Sequence, residues 1–77
     1  MPELFLITVG NICGSGVYDN ESILRVLVAF GTVLLVDEIF KTKAKDLNMM
    51  SMIQYFANQH GEKAASISKE IESILAN

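Results

Sequence analysis

The sequence has little of several things that would otherwise define its class. It contains one cysteine, one proline and no tryptophan among 77 residues, and only six residues are Lys or Arg. A single cysteine, Cys13, cannot form an internal disulfide, so the chain is not a disulfide-stapled secreted domain. The six basic residues against nine acidic ones give a net charge of −3, which argues against general nucleic-acid binding.

The sequence also lacks an apolar segment long enough to cross a membrane. Its longest apolar run, VLVAFGTVLLV at 26–36, lies between Arg25 and Asp37. That run falls short of the roughly 20 residues that a spanning helix needs. The N-terminal segment carries Glu3 where a secretory signal has positive charge. We therefore predict no membrane span and a cytoplasmic location.

What the chain has in abundance is apolar residues, which make up 51% of it, whereas charged residues make up 19%. This composition is typical of a folded chain, and the length predicts a single domain over residues 1–77. A chain this short buries only about 60% of its unfolded surface. Part of the apolar surface is therefore expected to contact a partner, for which a homodimer is the commonest arrangement.

In the first half of the chain, glycines and changes in residue type predict where the strands, the loop and the helix begin and end. The segment ELFLITVG is rich in β-branched and aromatic residues, so it predicts a strand over residues 3–9. A glycine-rich loop is predicted to follow at 10–20. A helix is predicted over 21–30, with Asn20 or Ser22 as candidate caps. Gly31 would end that helix, and TVLLV would form a second buried strand at 32–36.

Helical periodicity is clearer in the second half. Asp46 is a candidate cap for a helix over residues 47–60, which Gly61 would end. A further helix is predicted over 62–76, because apolar residues recur there at spacings of three and four: Ala64, Ile67, Ile71 and Ile74.

These elements predict an α/β (α+β) domain of order β-α-β-α-α. The strands at 3–9 and 32–36 would form a short parallel pair covered by the helices. Two strands are too few for a stable sheet, so we expect dimerisation to complete it. The alternative is a mostly α-helical bundle, in which one helix runs from Asn20 through Phe40.

Asp37 and Glu38 are the first candidates for chemistry. An acidic pair after an apolar strand resembles the acids that orient Mg²⁺ and water in nucleotide hydrolases. That mechanism also needs a G-x-x-x-x-G-K-[ST] phosphate loop, which the sequence does not contain. The favoured interpretation is that both acids face water and that Asp37 begins a turn. No metal site is predicted.

Cys13 and His60 are the second candidates. A cysteine nucleophile needs a base that a third group orients, and no such group is evident. We interpret Cys13 as a small buried apolar residue and His60 as a favourable group near a helix C-terminus. The prediction is therefore that the protein is not an enzyme and uses no cofactor.

The favoured function is a small non-enzymatic interaction domain that docks on a larger protein as a regulator or inhibitor. Adjacent methionines suit surfaces that adapt to a partner, so Met49, Met50 and Tyr55 are the candidate contacts.

The alternative function is a nucleic-acid- or nucleotide-binding regulator. It would use Lys41, Lys43 and Lys45, which could meet phosphates if the segment were extended. It could instead use backbone N–H groups of the Gly10–Gly16 loop, around Gly14 and Gly16.

Overall fold

In a computed structural model, which describes residues 2–56 and 58–76, the described chain is helical and contains no strand. Its five helices are α1 (Pro2–Gly14), α2 (Asn20–Val36), α3 (Glu38–Asp46), α4 (Met49–Phe56) and α5 (Glu62–Ala76). The predicted α/β (α+β) fold is therefore wrong, and the alternative of a mostly α-helical bundle fits the structure. Without a sheet, the argument that a dimer completes one no longer applies.

Helix α1 occupies the segment predicted as a strand at 3–9 and the start of the predicted loop. Leu6, Val9 and Cys13 are buried at the three- and four-residue spacing of a helix, while Leu4 and Ile7 are exposed. Nearly every residue from 4 to 9 is apolar, so the sequence does not distinguish the buried residues of this helix from the exposed ones. Packing of the buried row against the other helices outweighs the β propensity of the segment.

Helix α2 starts one residue earlier than predicted and continues through the second predicted strand. Its cap is Asp19, whose Oδ1 accepts a hydrogen bond of 2.8 Å from the Ser22 backbone N–H. That bond lowers the pKa of the Asp19 carboxyl. The buried row of α2 is Ile23, Leu27, Phe30 and Leu34. Leu34 continues the helical spacing past Gly31, so the strand predicted at 32–36 is wrong.

Gly31 lies inside α2 and does not end it. A Cβ at this position would lie 3.4 Å from Ile71 Cγ1, which is an ordinary van der Waals contact, so α5 packs closely against α2 here and leaves room for a Cβ. Gly61, which directly precedes α5, lies beside Asn20, the first residue of α2. The two helices therefore run in the same direction, with their N-terminal ends together.

The second half of the chain follows its prediction more closely. The helix predicted at 47–60 appears as the shorter α4, and Ala57 within that prediction lies outside the described residues. Asp46 is the last residue of α3 and not a cap, and Asn48, with a φ of 56°, makes the turn into α4. The predicted helix 62–76 is confirmed as α5.

The core lies where α1 and α5 pack against the other helices. Helix α1 contacts α2, α3 and α4, whereas α5 packs mainly against α2 and α4. Phe5 and Phe40 join α1 to α3 through an edge-on ring contact, with centroids 5.5 Å apart. Ser68 of α5 is fully buried in the protein. Its Oγ has no hydrogen-bond partner within the described part of the chain.

Substituting alanine at Gly31 tests whether this glycine is helical. We expect Gly31→Ala to stabilise the protein by about 0.5 to 1 kcal/mol, because alanine is the better helix former and its Cβ fits against Ile71. Chemical denaturation monitored by circular dichroism measures the change.

Gly61 is the matched control, because its φ of 93° is one that side chains rarely adopt. Gly61→Ala is expected to destabilise the fold by roughly 1 to 2 kcal/mol. A loss of stability of similar size in Gly31→Ala would mean that α2 does not continue through this residue.

Candidate functional site

Four large apolar residues of α2 and α3 are exposed, and three of them lie at the junction of the two helices. Val28, Leu35, Val36 and Ile39 are 46%, 71%, 79% and 67% exposed. We call these four residues the α2–α3 apolar row. On α2, Val28 and Leu35 each follow a buried residue, so they lie about 100° around the helix from the buried row and border it.

Beside this row lies a recess between α2 and α5, with a volume of about 140 Å³. We call it the α2–α5 groove. From α2 it is lined by Leu27, Val28, Gly31, Thr32 and Leu35, and from α5 by Ile67, Glu70, Ile71 and Ile74. The Thr32 hydroxyl donates to the Val28 carbonyl oxygen over 2.9 Å, so it is already paired within α2. The lining is therefore apolar apart from Glu70.

The three predicted partner-binding residues do not share one surface. Met49 is buried, and Met50 is half-buried against the core. Tyr55 is 69% exposed and its ring lies edge-on to Phe56, with centroids 5.0 Å apart. Of the three, Tyr55 alone is open to a partner.

The three lysines lie on α3, so the segment is helical and not extended. Lys43 forms an ion pair with Glu3 of α1, with Nζ 3.2 Å from Oε1. A backbone hydrogen bond and then the Lys43 ammonium lower the pKa of Glu3. Lys41 and Lys45, four residues apart, lie on the other side of α3. The structure thus brings two of the three lysines together.

The predicted glycine loop is mostly helix. Gly10 lies inside α1 and Gly14 is its last residue, so the backbone N–H groups before Ser15 belong to helix hydrogen bonding. Gly16, with a φ of 74°, lies in the short connection that leads to Asp19. The connection that could offer N–H groups to an anion is therefore much shorter than predicted.

Asp37 has a structural role. It is the cap residue between α2 and α3, and its Oδ1 accepts hydrogen bonds from the backbone N–H groups of Ile39 and Phe40 over 2.9 and 3.4 Å. This agrees with the expectation that Asp37 begins a turn. Within residues 2–56 and 58–76, no group of three or more His, Cys, Asp or Glu side chains is placed to hold a metal ion.

Cys13 and His60 are neighbours, but not as a nucleophile and a base. His60 Nε2 lies 3.3 Å from the Cys13 carbonyl oxygen, to which it donates, so the contact is with the backbone. The Cys13 side chain is 2% exposed, and burial raises the pKa of its thiol. Both effects leave the sulfur a poor nucleophile, because the thiolate is the reactive form.

Neither the α2–α3 apolar row nor the α2–α5 groove is predicted from the sequence. Leu35 and Val36 lie in the segment that is predicted as a buried strand, which implies burial for both residues. One signal was present: a helix that buries Leu27, Phe30 and Leu34 must turn Val28 and Leu35 away from that side.

No family model, characterised protein or solved structure matches the chain. Among the described helices, none has the length and apolar character to cross a membrane.

Replacing Asp37 tests its structural role. Asp37→Ala is expected to lower the free energy of unfolding by about 1 kcal/mol, because the first turn of α3 loses its side-chain acceptor. Thermal and chemical denaturation measure the loss.

Asp37→Asn is the matched control, since asparagine caps a helix as well as aspartate does. It should retain most of the stability. A stabilisation by Mg²⁺ that disappears in Asp37→Asn would instead indicate a metal site.

Proposed function

We propose that this protein is a small non-enzymatic interaction domain that docks on a larger protein as a regulator or inhibitor. The observation that supports the proposal is the α2–α3 apolar row, whose members Leu35, Val36 and Ile39 are each at least two-thirds exposed. Single exposed apolar residues are common, whereas contiguous groups of them mark interaction sites.

The energetics favour a docking role for this row. Burying a large aliphatic side chain contributes about 1.5 to 3 kcal/mol. Leu35 and Val36 are adjacent in sequence, and Ile39 follows on the next helix after the tight turn at Asp37. A partner that covers the row would bury several aliphatic side chains at once without rearranging the core.

The positions of the polar candidates support a non-enzymatic role. Asp37 caps α3, Cys13 is buried, and His60 binds a backbone carbonyl. Each group is thus engaged in holding the fold. The proposal includes a cytoplasmic location, which suits a chain whose single cysteine is a buried free thiol.

The partner is proposed to be a different protein and not a second copy. The sheet that suggested a homodimer does not form, and each copy carries a net charge of −3, which opposes self-association.

Substitution of the row tests this function. Leu35→Asp combined with Val36→Asp should weaken retention of the partner by at least about tenfold, because two aliphatic contacts are lost. Both side chains are exposed, so the fold should survive, as circular dichroism would verify. The measurement is quantitative mass spectrometry of proteins retained from the native source by the immobilised full chain.

Tyr55→Asp is the matched control, because Tyr55 is similarly exposed but lies on α4. A protein that is lost with the double variant and kept by Tyr55→Asp supports the row as the docking site. Loss with Tyr55→Asp alone would move the site to the surface predicted from sequence, and the absence of any variant-sensitive protein would reject the function.

One observation favours a second candidate, a nucleic-acid-binding regulator. Lys41 and Lys45 lie one turn apart on the same side of α3, a spacing at which two ammonium groups can meet neighbouring phosphates. Exposed basic side chains on a helix are a common way to contact a nucleic-acid backbone.

This candidate predicts oligonucleotide binding that weakens steeply with salt. Lys41→Glu with Lys45→Glu should abolish a low-salt gel shift, whereas Lys69→Glu on α5 should leave it intact. No shift by the unmodified protein at low salt would end the hypothesis.

A further inference from the structure

We propose that the α2–α5 groove binds one amphipathic helix of the partner, and that this helix places a Lys or Arg against Glu70. This inference rests on the proposed interaction function and names the chemistry of its partner. Three observations support it: the shape of the groove, its apolar lining and the position of Glu70, the charged residue of that lining.

The shape suits a helix. Helices α2 and α5 run in the same direction, and Gly31 between them leaves a depression beside Ile71. Val28 and Leu35 line it on the α2 side, and the partly buried Ile67 and Ile74 line it on the α5 side. Two helices that lie side by side around such a depression can accept the apolar side of a third.

The length of the groove determines how much of a helix it can hold. Val28 and Leu35 are seven residues apart on α2, which corresponds to about 10 Å along the axis, or two turns. A bound helix would therefore present three apolar side chains, at positions i, i+3 or i+4, and i+7.

Glu70 indicates the charge of the partner. It is the single charged residue that lines the groove, and among the described residues no ion pair involves it. An apolar helix that brings an acidic residue here would repel Glu70, whereas a Lys or Arg would attract it. The net charge of −3 acts in the same direction, because it attracts a basic partner.

The position of Glu70 also argues against a second copy in the groove. Glu70 is exposed and lies between Ile67 and Ile74 along the α5 side of the lining, so it is at the middle of the groove's length. Two copies related by a two-fold axis through this middle would bring their Glu70 side chains together. Like charges at the centre of an interface are destabilising.

Two synthetic peptides test the inference. Both are amphipathic helices of about 20 residues, long enough to form helix alone, with leucines at i, i+4 and i+7. They differ at one position beside the leucines, which is Arg in the first and Glu in the second. Each is titrated into the ¹⁵N-labelled full chain, and amide chemical shifts locate the site and give Kd.

The Arg peptide is expected to shift amides of α2 and α5 around the groove and to bind about threefold to tenfold more tightly than the Glu peptide. Glu70→Lys should reverse that preference. Glu72→Lys, with the same charge change two residues along and outside the groove lining, should preserve it.

Failure of either peptide to shift the groove amides would overturn the inference, as would equal affinity for the two peptides or a preference that Glu72→Lys reverses. Self-association of the unliganded chain through the same amides, detected by sedimentation, would assign the groove to a second copy and also overturn it. The interaction function would stand after any of these results if the native partner still depends on Leu35 and Val36.

Discussion

The close approach of α2 and α5 is the contact on which most of this fold depends. Ile71 of α5 packs against Gly31 of α2, 3.4 Å from the position that a Cβ would occupy. Leu27 of α2 and Ile71 of α5, both buried, lie together along this contact. The missing side chain of Gly31 contributes to the depression that forms the α2–α5 groove. One glycine therefore contributes both to the core and to the candidate binding surface.

Two aspartates cap helices, and one of them, Asp37, was a candidate for chemistry. Asp19 caps α2, and Asp37 lies between α2 and α3 and caps α3. The turn at Asp37 places Val36 and Ile39 on the outside, on either side of the break. A carboxylate whose oxygen accepts two backbone N–H groups is engaged with the fold, and the surface that results is apolar. The proposed docking function depends on this apolar surface.

The parts of the fold that were predictable are those in which polar and apolar residues alternate with a helical period. Helix α5 is one, because Lys and Glu lie between its apolar residues and make their three- and four-residue spacing recognisable. The segments at 3–9 and 26–36 are apolar at nearly every position, so they fit a buried strand as well as a helix. Of the predicted contact residues Tyr55 is exposed and Met49 is buried, and Leu35, which lies in a segment predicted as a buried strand, is 71% exposed.

From its composition and spacing, the chain could be assigned a folded apolar character, an acidic charge and a helix over residues 62–76. Those properties are local or additive, so they can be taken directly from the residues. Which sides of α1 and α2 face inward depended on how five helices share one small core. Gly31 is an example: a glycine after an apolar segment can end a helix or lie inside it, and here it lies inside α2 against Ile71, 40 residues away in the chain.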